Sequence, residues 1–152
     1  MLQIEFKFSD KSSKMDNLSS FDLGDMDLRG DLGTASSHSR VPDQSMMIVL
    51  SISPLLDGVR RFLSTPQKEY KFVGVDSSFA VVFSKKNDGK IDILVDKCLI
   101  ETTNARQLKA DIEASVLRFI EYLDASAVSP TTDAPLLDLH DAFQDFQHFS
   151  VE

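Results

Sequence analysis

The chain has 152 residues, 42% of them hydrophobic, and a formal net charge of −8. That length and apolar content suit one domain with a core of its own and exclude wholesale disorder, while the single cysteine, Cys98, excludes an intramolecular disulfide. No segment approaches the roughly 18 apolar residues of a membrane span, and an acidic surface is repelled by phosphate, so nucleic acid and anionic membranes are poor partners.

Met1 to Phe8 alternates apolar and polar residues, with Leu2, Ile4, Phe6 and Phe8 on one face of a predicted strand. A secretory signal would instead show a basic start and a continuous apolar run, so a soluble, cytoplasmic protein is expected. A polar stretch from Ser9 to Ser20 precedes a second alternating segment, Phe21–Leu28, interrupted by Gly24. Residues 29–45, with two glycines, four serines and a proline, read as a loop. Met46–Ile52 is a short apolar run with the pattern of a central strand covered on both faces. Ser53-Pro54 then supplies a helix start, serine as cap and proline at a position that needs no hydrogen bond. Leu55, Leu56, Val59, Phe62 and Leu63 form the apolar face of this short helix, and Pro66 ends it.

Three predicted strands follow, Tyr70–Val75, Phe79–Phe83 and Ile91–Ile100, as an antiparallel meander with a tight turn at Asn87-Asp88-Gly89. Cys98 falls inside the last apolar run and is expected to be a buried thiol, consistent with a reducing compartment. Asn104 with Gln107 three residues on is a capping-box-like start. The long helix after it places Leu108, Ile112, Val116, Phe119 and Leu123 on one face. The predicted class is α+β: an antiparallel sheet of about five to six strands, a short helix, a long helix on one face of the sheet and a C-terminal amphipathic helix. In this reading residues 1–124 form the domain, 125–134 a linker of small residues, and 135–150 the last helix.

The charge is unevenly placed. From Glu121 to Glu152 there are seven acidic residues and no Lys or Arg, whereas residues 46–120 carry nine acids against eleven bases. On the last helix Asp138, Asp141, Asp145, His148 and Glu152 follow steps of three and four and form one stripe. Leu136, Leu139, Phe143 and Phe146 form a second. An acidic stripe opposite an apolar one is the pattern of a surface helix; the competing readings are a divalent-metal site at Asp141, Asp145 and His148 and recognition of a basic partner. A second acidic set comprises Asp16, Asp22, Asp25, Asp27 and Asp31, with Arg29 as its only base. Asp25 and Asp27 share a strand face, which would also suit an edge strand guarded by charge.

Signs of catalysis are weak. There is no Gly-x-Ser-x-Gly elbow, no glycine-rich phosphate loop and no Cys/His zinc pattern, and Ser37-His38-Ser39 lies in the loop as polar filler. Neither an enzyme nor a cofactor or metal is expected.

The order strand, strand, apolar strand, short helix, three-strand meander, long helix resembles that of the small α/β immunity proteins of bacterial contact-dependent and polymorphic toxin systems, the WapI-like immunity group in particular. Ile48–Leu63, Tyr70–Phe83 and Ile91–Leu123 carry the resemblance. This chain differs in having no tryptophan and in its acidic C-terminal extension. The resemblance implies a non-enzymatic protein that binds and neutralises a cognate toxin, often a nuclease with a basic cleft. Asp22, Asp25, Asp27, Asp31, Asp138, Asp141, Asp145 and Glu152 are the expected contact residues. The alternative is a structural adaptor or chaperone whose C-terminal apolar stripe docks on a partner, or on a second protomer in a homodimer.

Overall fold

A computed structural model describes residues 1–9, 20–38, 40–125 and 134–151. Among them are eight strands in two four-stranded antiparallel sheets, and three helices. The α+β class with antiparallel pairing is as expected, but the strands divide into two sheets instead of one.

The first sheet contains β1 (Gln3–Phe8), β2 (Leu23–Arg29), β3 (Thr34–Ser36) and β4 (Met46–Met47). β1 pairs with β2 from Gln3↔Arg29 to Phe8↔Gly24. On its other side β2 pairs with β3 at one end and β4 at the other. β2 is therefore a central strand and not a charge-guarded edge. Its inner residues, Met26 and Leu28, meet Ile4 and Phe6 of β1 in the core. On the outer face Asp27 binds Lys7 Nζ at 2.8 Å and accepts from Ser36 Oγ. Burial pushes the Asp27 carboxyl up, but those two partners outweigh it and hold it below its ordinary 3.8.

Residues 29–45, read above as a loop, hold β3 and also a cover for the second sheet. Leu32 N–H donates to Ile100 C=O (3.1 Å), and a Cβ on Gly30 would sit 2.1 Å from that oxygen. Only glycine allows this approach.

Met46–Ile52 departs most from its predicted form. Only Met46 and Met47 are extended, and helix α1 runs Ile48–Ser64, through Ser53-Pro54. Ile48, Val49, Ile52, Leu55, Leu56, Val59 and Phe62 are all buried, at steps that follow one helix face without a break. A seven-residue apolar run satisfies a strand and a buried helix turn equally well, and burial on three sides selects the helix. Proline leaves Leu50 without its usual N–H partner, so that one bond is given up within a helix anchored elsewhere. The anchor is Ser51, fully buried. Its Oγ donates to Met47 C=O (2.9 Å) and accepts Val75 N–H (3.0 Å), while Met47 N–H donates to Val75 C=O (3.0 Å).

The second sheet is a meander in chain order, β5 (Glu69–Val73), β6 (Ala80–Lys85), β7 (Ile91–Val95) and β8 (Cys98–Thr103). Ile91–Ile100 is thus not one strand. It folds back at Asp96-Lys97, whose φ values of 49° and 67° form a tight hairpin turn without glycine. That fold-back places Cys98 beside the turn, where it is exposed and not buried.

Helix α2 (Ala105–Asp124) starts as predicted, with Asn104 Oδ1 accepting from Gln107 N–H at 2.9 Å. Its apolar face packs on β1. Two buried polar residues one turn apart, Asp111 and Ser115, accept Leu2 N–H (3.0 Å) and Ile4 N–H (3.1 Å). The open edge of the first sheet is thereby closed by side chains. Helix α3 (Ala134–His148) buries Leu136, Leu139, Ala142, Phe143 and Phe146, packing mainly on α1 and to a lesser extent on α2. Lys109 of α2 reaches its last turn, donating to Gln147 C=O (3.3 Å) with its ammonium 5.2 Å from the Phe149 ring centre. A single hydrophobic cluster includes residues from both sheets and all three helices.

Three outcomes are expected. Ser51→Ala leaves Val75 N–H without its acceptor and lowers stability by about 1–3 kcal/mol in urea unfolding; a change within error would show that the two bonds of the Ser51 hydroxyl contribute nothing. Asp27, with its depressed carboxyl, adds stability above the unfolded value of 3.8 that is lost as the pH falls below it. Lys7→Met should therefore show a smaller fall in urea midpoint between about pH 5 and pH 3 than the parent. A chain shortened by residues 130–152 loses the four apolar side chains of the α3 stripe, about 1.5–3 kcal/mol each. That is comparable with the whole stability of a domain, ~5–15 kcal/mol, and circular dichroism should report an unfolded or molten product.

Candidate functional site

The apolar faces of α1 and α3 meet, and above that contact their polar flanks bound a groove of about 610 Å³. From α1 it is lined by Ser53, Pro54, Asp57, Gly58 and Arg61, and from α3 by Asp138, Asp141, Ala142 and Asp145. Gln67 and Tyr70 complete it. The α3 stripe follows from helical spacing: with Leu139, Ala142, Phe143 and Phe146 turned inward, Asp138, Asp141 and Asp145 are exposed on the flank. Asp57 comes from the facing flank of α1, its side chain 43% exposed. Four carboxylates thus line one concavity; among the described residues Arg61 is the one cation in its lining, and Arg60 Nη2 lies 3.9 Å from Asp57 Oδ1.

The floor depends on Gly58 and Tyr70. The phenol ring lies directly on the α1 backbone, where a Cβ at position 58 would fall 2.0 Å from Tyr70 Cζ. Tyr70 Oη donates to Pro54 C=O at 3.1 Å, and its ring stacks on Phe83 with centroids 5.9 Å apart. Burial pushes the phenol pKa up from 10.0 to about 12.

The other acidic set is placed elsewhere, and none of its described members lines the groove. Asp25 is only 1% exposed and offers no surface to a partner. Its Oδ1 accepts from Ser37 Oγ (2.8 Å) and Ser45 Oγ (3.0 Å), and His38 Nδ1 lies 3.5 Å from Oδ2. Ser37 Oγ also accepts Met26 N–H (3.0 Å), so Ser37 and His38 serve as a clamp on a buried carboxylate. Asp27 is held by Lys7, and Asp31 binds the Met1 ammonium at 2.9 Å, beside buried Glu101 at 2.8 Å. Those two carboxylates raise the ammonium pKa from 8.0 to about 10. Asp22 is half-buried just before β2. Asp16 and Glu152 lie outside the described residues, as does most of the predicted linker.

Among the described residues no group of three or more His, Cys, Asp or Glu side chains is placed to hold a metal ion. In the Asp141, Asp145 and His148 stripe, His148 Nδ1 lies 2.7 Å from Gln144 C=O on its own helix. No described helix is long and apolar enough to cross a membrane. Sequence reading missed Asp57, Arg61, Gly58 and Tyr70 as groove residues. The available signal was Gly58 itself, since a glycine inside a helix often marks a close approach.

No protein-family model matches the chain, and no curated protein or solved structure matches it.

Tyr70 supplies a direct check on the groove floor. In a Tyr122→Phe background the remaining phenol should titrate near 12 by ultraviolet absorbance. Because the folded phenol holds its proton longer than the unfolded one, stability should fall as the pH rises from 10 towards 12. Gly58→Ala forces the ring off α1, costs about 1–3 kcal/mol, and should return the titration towards the ordinary value. An unshifted titration in Gly58→Ala would mean that the ring does not depend on this contact.

Proposed function

We propose that the chain is a non-enzymatic binding protein of the immunity type, which neutralises a cognate toxin by presenting the α1–α3 groove to a basic surface. The observation that carries this reading is the division of labour on α3. Its apolar stripe is consumed by packing on α1, and its carboxylates are left outward, facing Asp57 across a concavity. Like charges at steps of three and four cost a few tenths of a kcal/mol per pair, and Asp145 in the C-terminal half gains nothing from the helix dipole. A cation-rich partner would repay that cost, and the same field would steer its approach. The kind of partner is taken from the sequence's resemblance to immunity proteins, although the apolar strand of that order is the start of α1 here and the meander has four strands in place of three: a toxin domain, nuclease-like, whose substrate cleft is basic. A cytoplasmic location belongs to the same reading. The adaptor reading needs the apolar stripe of α3 as a free docking face, and α1 already covers it.

The test is co-expression with the products of the neighbouring genes followed by size-exclusion chromatography, then kinetics on any complex. Asp138→Lys/Asp141→Lys/Asp145→Lys should lower the association rate roughly tenfold to a thousandfold at low salt and remove most of its salt dependence. An Asp22→Lys/Asp31→Lys chain should change it far less. Absence of any co-eluting partner argues against the immunity reading; a complex indifferent to the α3 reversal places the interface away from the groove.

A further inference from the structure

We draw no further inference here: the strongest candidate, the acidic groove between α1 and α3, belongs to the site already described, and nothing in the structure shows what covers it beyond the charge complementarity already used.

Discussion

Three hydrogen bonds among Met47, Ser51 and Val75 hold the molecule together at the point where its parts meet. Met47 belongs to the first sheet, Ser51 to the first turns of α1, and Val75 to the segment that leaves β5 of the second sheet. Ser51 is fully buried between two half-buried residues, and an unsatisfied buried group costs about 1–3 kcal/mol. The triangle sets where α1 begins and how it is oriented between the sheets. The Gly58–Tyr70 contact and the α1–α3 packing lie further along the same helix, so the groove inherits its shape from this junction.

Much of the acidic charge is used internally. Asp25, Glu101 and Asp111 are all at most 3% exposed. Asp25 fastens the segment after β3 to β2 through Ser37 and Ser45. Glu101 binds the N-terminal ammonium and the N–H groups of Asp31 and Thr102. Asp111 closes the edge of the first sheet and accepts from Gln107 Nε2 at 2.7 Å. A buried carboxylate is tolerated only with such partners, and these three are surrounded by them. The carboxylates of α3 differ in kind. They lie on an exposed flank with no ion pair among the described residues, and the proposed binding role rests on that.

The role of α3 is likewise settled by pairing across elements. Its sequence contains no Lys or Arg to oppose its carboxylates. Lys109 of α2 supplies a cation at its C-terminal carbonyls, where positive charge is favoured, and His140 Nε2 lies 3.9 Å from Asp124 at the end of α2. The helix is thus held on one side by apolar packing and at its end by a neighbour's charge, leaving the aspartate flank towards the groove.

Local chemistry was enough to read β1, the Asn104 cap with the long helix behind it, the Gly89 turn and the apolar stripe of α3 with Asp138, Asp141 and Asp145 beside it; Glu152, expected to continue that acidic stripe, lies outside the described residues. In each case the information lies within a few residues: alternation, a side-chain cap, a glycine with positive φ, a period of 3.6. Where two conformations satisfy the same local pattern, reading the sequence alone chose the wrong one. Met46–Ile52 satisfies a covered strand and a buried helical turn equally well, and in the fold it is helical from Ile48, with Ile48, Val49 and Ile52 buried in the common core. The turn at Asp96-Lys97 has no glycine to announce it, and the pairing of β7 with β8 imposes it. The separation of the acidic residues followed the same rule. Spacing put Asp138, Asp141 and Asp145 on one face, but burial of Asp25 and the meeting of Asp57 with α3 depend on residues far apart in the chain. The sequence by itself determined which side chains share a face. The tertiary structure decided which faces are buried, because burial is a property of what packs opposite.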